Sequence, residues 1–217
     1  MIKKILVITD SLGLPRAHPE KCSFEATWPC RLKAIPNLIV HQLSMGGATI
    51  DELYNQVINH HIFFNPDIII IQSGIVDCSP RAFSRTELLL LNSTFITREI
   101  RAIIVKRFSN FLRRHRKVAY TTEKKFMFFL NNFHKISGTN TIFWLGILPG
   151  SEKYEKKVPG ITKRINLYNK RIAQIFNENY ISLETIPRDG IMSDQHHLNK
   201  EGHQYIYNLI VQKLNLG

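Results

Sequence analysis

Asp67-Ile68-Ile69-Ile70-Ile71-Gln72 is a run of four isoleucines between two polar residues, followed at once by Ser73-Gly74. β-Branched side chains are stiff at χ1 and pack well on a pleated surface, so the run reads as a strand. No polar residue alternates within it. Both faces must therefore be buried, as in parallel sheets covered by helices on either side. Working outward, the same signal recurs at Ile5–Ile8, Leu38–Leu43, Thr141–Leu148 and Tyr180–Leu183. The segments between carry helical periodicity instead. Ile50, Leu53, Tyr54, Val57, Ile58 and His61 share one stripe over 50–62, and Ile161, Ile165, Leu167, Tyr168, Ile172, Ile175 and Phe176 share another over 160–178. Tyr205, Ile206, Leu209, Ile210 and Leu214 form a third near the C-terminal end. Strand–helix alternation along the whole length predicts an α/β protein: three layers, α/β/α, around a five-stranded, mainly parallel, flavodoxin-like sheet.

One interval is too long for this rhythm. About seventy residues separate the third and fourth apolar runs. Leu88, Leu91, Phe95, Ile100, Ile103, Ile104, Phe108, Phe111 and Leu112 predict one long helix over 86–117. Phe126, Phe129, Leu130 and Phe133 predict a second over 122–136. With no internal repeat and no linker, the expectation is a single domain over residues 1–217, with a helical insertion at about 84–137.

Composition narrows the function classes. At 44% hydrophobic and 21% charged, the 217-residue chain is far from a disordered composition. Charge is the unusual feature: 29 Lys and Arg against 17 Asp and Glu, a net +12, which suits an acidic partner. The excess is concentrated. Residues 98–125 hold ten Lys/Arg and two Glu, ten minus two being +8, including Arg113-Arg114-His115-Arg116-Lys117. This basic stretch is either a solvated helix face or a docking surface for an anionic glycan, a membrane surface or a partner. Nucleic acid is not expected, since no aromatic stacking platform accompanies the cations. Cys22, Cys30 and Cys78 are odd in number and lack C-x-x-C spacing, so they are expected to be reduced thiols in a cytoplasmic protein. The N-terminal Ile5–Ile8 run is too short for a signal peptide, and no run reaches the roughly 18–20 apolar residues that span a bilayer.

Ligands of open α/β sheets bind outside the carboxyl ends of the strands. The first strand is followed by Thr9-Asp10-Ser11-Leu12-Gly13, the second by Ser44-Met45-Gly46-Gly47-Ala48-Thr49, and the third by Ser73-Gly74-Ile75-Val76-Asp77. Asp194-Gln195-His196-His197-Leu198 precedes the last helix. A serine, backbone-donating glycines, and an Asp with a His thus gather at one sheet edge. Those are the parts of an acyl-transfer site: nucleophile, oxyanion donors, general base and the group that orients the base. No cofactor or metal is expected. Gly46-Gly47 lacks the G-x-G-x-x-G pattern, and Asp194, His196, His197 and His203 lack the usual zinc-ligand spacing. His60-His61 at a helix end is expected to be structural.

These four blocks resemble those of the SGNH (GDSL-type) hydrolases and follow that family's order over nearly the whole chain. T-D-S-L stands where the family has G-D-S-L, matching Ser11 to the nucleophile. Gly47 matches the second block, with Gly46 beside it. The D-x-x-H block falls on Asp194 and His197, continuing through Leu198-Asn199 to Gly202-His203. The third block departs. The family has G-x-N-D, whereas this chain has Gly74-Ile75-Val76-Asp77, so Val76 occupies the place of an oxyanion Asn and has no side-chain donor. Ser73, Gln72 or a nearby Arg could substitute. The resemblance implies a Ser11–His197–Asp194 triad with oxyanion N–H groups from Ser11 and Gly47. The implied reaction is removal of an O-acyl group, acetyl being simplest, from a carbohydrate or polysaccharide precursor. Arg16, Gly46, Ser73, Asp77 and Arg81 are candidate substrate-binding residues. The alternatives are an O-acyltransferase on the same triad, and a weakened module that binds a glycan or another anion without turnover.

Overall fold

The computed structural model describes residues 2–116, 118–136 and 141–216, without the side chains of 59–62 and 96. His60, His61 and Lys117 therefore lie outside the described residues or side chains. Five strands form one sheet: β1 (Lys3–Thr9), β2 (Leu38–Ser44), β3 (Ile68–Gln72), β4 (Thr141–Leu145) and β5 (Tyr180–Ile181). Their order is β2-β1-β3-β4-β5 and every pairing is parallel. The expectation of a mainly parallel, flavodoxin-like sheet is thus met and tightened to an all-parallel one. Parallel neighbours need crossovers, and helices supply them on both faces. Helix α1 (Trp28–Lys33) packs beside α9 (Lys200–Leu214). Helices α2 (Ile50–Phe64), α6 (Glu123–Ile136) and α8 (Ile161–Phe176) pack side by side as the other layer. Short helices α3 (Ile75–Cys78) and α7 (Glu152–Lys157) follow β3 and β4. No helix among the described residues is long and apolar enough to cross a membrane.

The core lies where the apolar runs predicted. Ile5–Ile8 and Ile69–Ile71 are buried, with Trp144, Phe126, Leu130, Phe133, Ile165, Ile172 and Ile206 packed around them. The second run is the exception. Leu38–Ser44 alternates between exposed and half-buried residues, and Ile39 is 46% exposed. It is an edge strand, with only β1 beside it, so the parallel-sheet reading of a doubly buried run does not apply there. The fourth run is shorter than its apolar stretch. The strand ends at Leu145, and Ile147 leaves the ladder to pair its N–H and C=O with the Asn169 amide at 2.7 and 2.9 Å.

The predicted single helix over 86–117 is two helices, α4 (Arg85–Leu91) and α5 (Phe95–Arg116). Two local caps divide it. The Asn92 N–H closes α4 on the Leu88 carbonyl at 3.0 Å, and the Thr94 hydroxyl accepts the Thr97 N–H at 3.2 Å to start α5. Among the described side chains, neither helix contributes a buried residue to the core. Leu89, Leu90, Phe95, Ile100, Ile103, Phe108 and Phe111 are all exposed. By contrast, α6 buries Phe126, Leu130 and Phe133 against the sheet and is the crossover from β3 to β4. What exceeds an ordinary crossover is therefore the α4–α5 arm.

The sheet register carries the candidate residues to one edge. Thr9 pairs with Ser44 on one side and Gln72 on the other, and Gln72 pairs with Leu145. Thr9 and Ser44 hydroxyls share a 2.7 Å hydrogen bond, and the Asp10 N–H extends the ladder to the Gln72 carbonyl at 3.1 Å. Ser11, Gly46-Gly47 and the Ser73–Asp77 segment all leave the sheet at this level.

Candidate active site

Ser11 opens a single 3₁₀ turn (Ser11–Gly13) directly after β1. The turn is held from below: the Asp10 carboxylate accepts the Leu12 N–H at 2.9 Å. Asp10 is fully buried, and burial, opposed by the Leu12 hydrogen bond and reinforced by Asp77, pushes its pKa up to about 7. Asp77 is raised to about 7 in the same way, by burial first.

The opposing wall is the loop before α9. Gln195 takes a positive φ of 74°, turning the chain so that Asp194 and His197 face each other. The Met192 N–H pairs with the His197 carbonyl at 2.8 Å and closes the loop. Below it, α9 starts with Asn199 as its N-cap, the side chain accepting the Gly202 N–H at 3.0 Å. Gly202 presses on the preceding turn so closely that a Cβ there would stand 2.1 Å from the Gly190 carbonyl oxygen. Only glycine permits this seat, which fixes the height of the His197 loop.

The result is a continuous relay. The Ser11 hydroxyl lies 3.0 Å from His197 Nε2, and His197 Nδ1 lies 2.6 Å from Asp194 Oδ2. Asp194 Oδ1 accepts the backbone N–H groups of His196 and His197, each at 3.1 Å. Burial alone would raise the Asp194 carboxyl, but the hydrogen bonds and charge of the two histidines outweigh it and hold it well below the usual carboxylate range. A carboxylate locked to Nδ1 leaves Nε2 free to accept the serine proton, the division of labour of a Ser-His-Asp triad. His196 lies against Tyr154, the rings stacked at 5.6 Å, and burial pushes its pKa down to about 4.

Asp194, His196 and His197 also bring three ligating atoms within 4.8 Å of one another. Both ring nitrogens of His197 are already engaged, by Ser11 and by Asp194. His203 stands apart, accepting the Trp28 N–H at 3.3 Å beneath α1, and burial lowers its pKa to about 4. The donor set suits proton transfer better than metal ligation.

Ser11, His196 and His197 line a cleft of about 440 Å³ together with Gly46, Gly47, Ile75 and Val76. Gly47 has a φ of 75°, and no atom lies within 4 Å of where its Cβ would be, so backbone is what the cleft meets there. Arg16, Gly46 and Arg81, expected at the substrate, line the cleft as well. Ser73 and Asp77 do not. Ser73 is buried below the floor, while the Asp77 carboxylate accepts the Ile50 N–H at 3.1 and 3.2 Å and caps α2. Gln72 is likewise committed to the core, its Oε1 accepting the Trp28 indole N–H at 2.8 Å. Neither Ser73 nor Gln72 lines the cleft, whereas Val76, at the place of the missing Asn, does. Reading the sequence missed Ser79, Arg113, Tyr154 and Lys157, which also line it.

No family model matches the sequence, and no curated protein does. Solved structures do match. An acetylxylan esterase from Geobacillus stearothermophilus is similar at 15% identity over 98% of this chain and 94% of its own, with a TM-score of 0.62. Variants of that enzyme described as catalytic mutants replace a serine in one case and an aspartate in another. A psychrotrophic esterase, EstA, from Pseudoalteromonas sp. is similar at 14% identity over 98% and 97% of the two chains, with a TM-score of 0.60. A lipase/acylhydrolase from Enterococcus faecalis is similar at 15% identity over 98% and 95%, with a TM-score of 0.58. The chain has the three-layer α/β/α fold of SGNH-type esterases and acylhydrolases along nearly its full length.

Proposed function

We propose that this protein is a serine ester hydrolase that removes an O-acyl group, acetyl in the simplest case, from a carbohydrate. The observation that carries the reading is the unbroken Ser11–His197–Asp194 relay opening into a cleft. The Ser11 Oγ attacks the ester carbonyl carbon as its proton passes to His197 Nε2. The carbonyl electrons collect on oxygen, facing the N–H groups of Ser11 and Gly47. Collapse of this intermediate breaks the bond to the alcohol oxygen, which leaves with the proton from His197. Water then attacks the acyl-enzyme through the same base, releasing the carboxylic acid and restoring Ser11. Asp194 stays ionised throughout and stabilises the imidazolium. The carbohydrate substrate follows the acetylxylan esterase among the similar folds; the relay itself supports the reaction class.

Purified protein should hydrolyse p-nitrophenyl acetate and O-acetylated saccharides, and Ser11→Ala should lose about 10⁴-fold or more in kcat. Full activity in Ser11→Ala contradicts the reading. So does a wild type that binds saccharides without cleaving any ester, which is the behaviour of a binding module. Product analysis with sugar acceptors present separates hydrolysis from acyl transfer.

The same reading gives the arm a role at an anionic bilayer surface. Residues 95–116 hold seven Lys/Arg and one Glu, a net of +6, with Ile100, Ile103, Phe108 and Phe111 exposed among them. Cations beside exposed apolar side chains suit the headgroup boundary of acidic lipid rather than a hydrophilic glycan. A second copy of a +12 chain would be repelled. Co-sedimentation with phosphatidylcholine vesicles containing phosphatidylglycerol, lost on pure phosphatidylcholine and weakened by Ile103→Asp, is the expected result. No sedimentation with either lipid, equal sedimentation with both, or self-association in its place, contradicts it.

A further inference from the structure

The four long cationic side chains of the cleft, Arg16, Arg81, Arg113 and Lys157, have no carboxylate beside them in its lining. The Lys/Arg ion pairs among the described residues join Arg85 to Glu52, Arg116 to Glu87, Lys125 to Asp51 and Arg171 to Glu123, none of them in the cleft. Four cations thus meet in one cleft with no carboxylate in its lining to offset them. Asp194 stands behind His197, and its negative charge is already shared with the two histidines.

Two of the four cations are built in rather than dangling. Arg81 is held at the backbone by a 2.8 Å hydrogen bond from its N–H to the Val118 carbonyl. Its guanidinium lies over the Tyr120 ring at 4.6 Å, and one terminal nitrogen reaches the Val76 carbonyl at 3.4 Å. Its Nε is buried without a partner. Arg113 comes from α5 of the arm, its NH1 donating to the Lys157 carbonyl at 2.8 Å, and its Nε is also buried and unpartnered. The two guanidinium groups sit near enough to oppose each other: burial, then the charge of Arg81, lowers the pKa of Arg113. Like charges held together in one cleft cost stability, and an anion with several acceptor oxygens bound among them relieves that cost.

We infer that the cleft selects esters whose carrier bears an anionic group, a carboxylate or a phosphate, gripped by Arg81 and Arg113 while Ser11 meets the ester. Guanidinium forks match the geometry of both oxyanions, so the shared chemistry is a planar or tetrahedral group with at least two charged oxygens. The inference rests on the esterase reading and narrows its substrate. It also gives the arm a second purpose, since α5 supplies one of the two guanidinium groups and thereby part of the specificity.

The test compares kcat/KM for acetyl esters that differ only in charge. Methyl glucoside and methyl glucuronide acetylated at the same hydroxyl form one pair. O-acetylated glucose and O-acetylated glucose 6-phosphate form the second. The anionic member of one pair should be preferred by about 10–100-fold, as expected for charged hydrogen bonds, and the pair that shows it identifies carboxylate or phosphate. Arg81→Gln and Arg113→Gln should each bring that ratio toward one, and Arg113→Lys should keep part of it. Should either Gln variant fail to fold, the wild type alone decides. Its preference should collapse as the screening length falls from about 30 to about 3 Å between about 0.01 and about 1 M salt. A wild type that cleaves neutral and anionic acetyl esters equally overturns the inference and leaves the esterase reading standing. A wild type that cleaves none overturns both.

Discussion

Phe133 and Phe111 carry the same side chain on helices of similar pattern, yet one is 1% exposed and the other 60%. Phe133 lies on α6, edge-on to Trp144 at 5.5 Å and to Tyr54 at 5.1 Å. Phe111 lies on α5 with His115, on its own helix, against its ring at 4.1 Å. Helical periodicity reports that a face is apolar; it does not report what covers it. In the body, each amphipathic face meets a sheet that was itself predicted. In the arm, it meets none, and polar side chains tie α5 to the body: Asn110 and Arg113 on the Lys156 and Lys157 carbonyls, and Arg116 on the Ala82 carbonyl.

The largest expected effect is thermodynamic. Phe133→Ala should cost about 3–5 kcal/mol in denaturant unfolding, while Phe111→Ala should stay within about 0.5 kcal/mol. Equal losses would mean that the arm is packed after all. Next comes Val76→Asn. An amide restored at the oxyanion position should raise kcat by about 10–100-fold on small acetyl esters, the reverse of the usual loss when such a donor is removed. An unchanged or lower kcat would mean that the cleft stabilises its oxyanion without a side-chain amide at position 76. Gly202→Ala should destabilise the protein by about 1–3 kcal/mol, because its Cβ would drive into Gly190, and should lower kcat as the His197 loop lifts.

A further effect is electrostatic. Asp10 has an ordinary value of 3.8 and is raised to about 7 by burial, so the folded protein binds a proton there that the unfolded chain has already released. Between about pH 4 and 7 the folded state therefore holds more protons, and stability falls as pH rises through that window. Asp10→Asn keeps the oxygen that accepts the Leu12 N–H and should flatten the slope in urea-melt midpoints. An unaltered slope would assign the effect to Asp77.

Much of this was legible in the sequence for a physical reason. Ser11, Gly47, Asp194 and His197 each follow a strand or precede a helix within a few residues, so local signals locate them and the parallel register brings them together. Arg81 could be placed because it follows the β3 loop. Arg113 could not, since its position depends on how α4–α5 folds back across the cleft. One clue was present: the arm departs from the chain just after β3, on the sheet edge where ligands bind, so some part of it had to stand near the site. Ser73 and Asp77 share the right loop, but both are buried and neither lines the cleft. The break at Asn92–Thr94 was also readable, as an Asn and two short hydroxyl residues in a row, although the apolar spacing ran through it.

The central claim is that Ser11 is the nucleophile of an acyl-enzyme, and peptide mapping after treatment with a fluorophosphonate tests it most directly. A single covalent adduct on the peptide containing Ser11 is predicted, together with parallel loss of ester hydrolysis and no adduct in His197→Ala. A folded wild-type protein that hydrolyses acetyl esters yet carries no adduct on Ser11 would contradict the account.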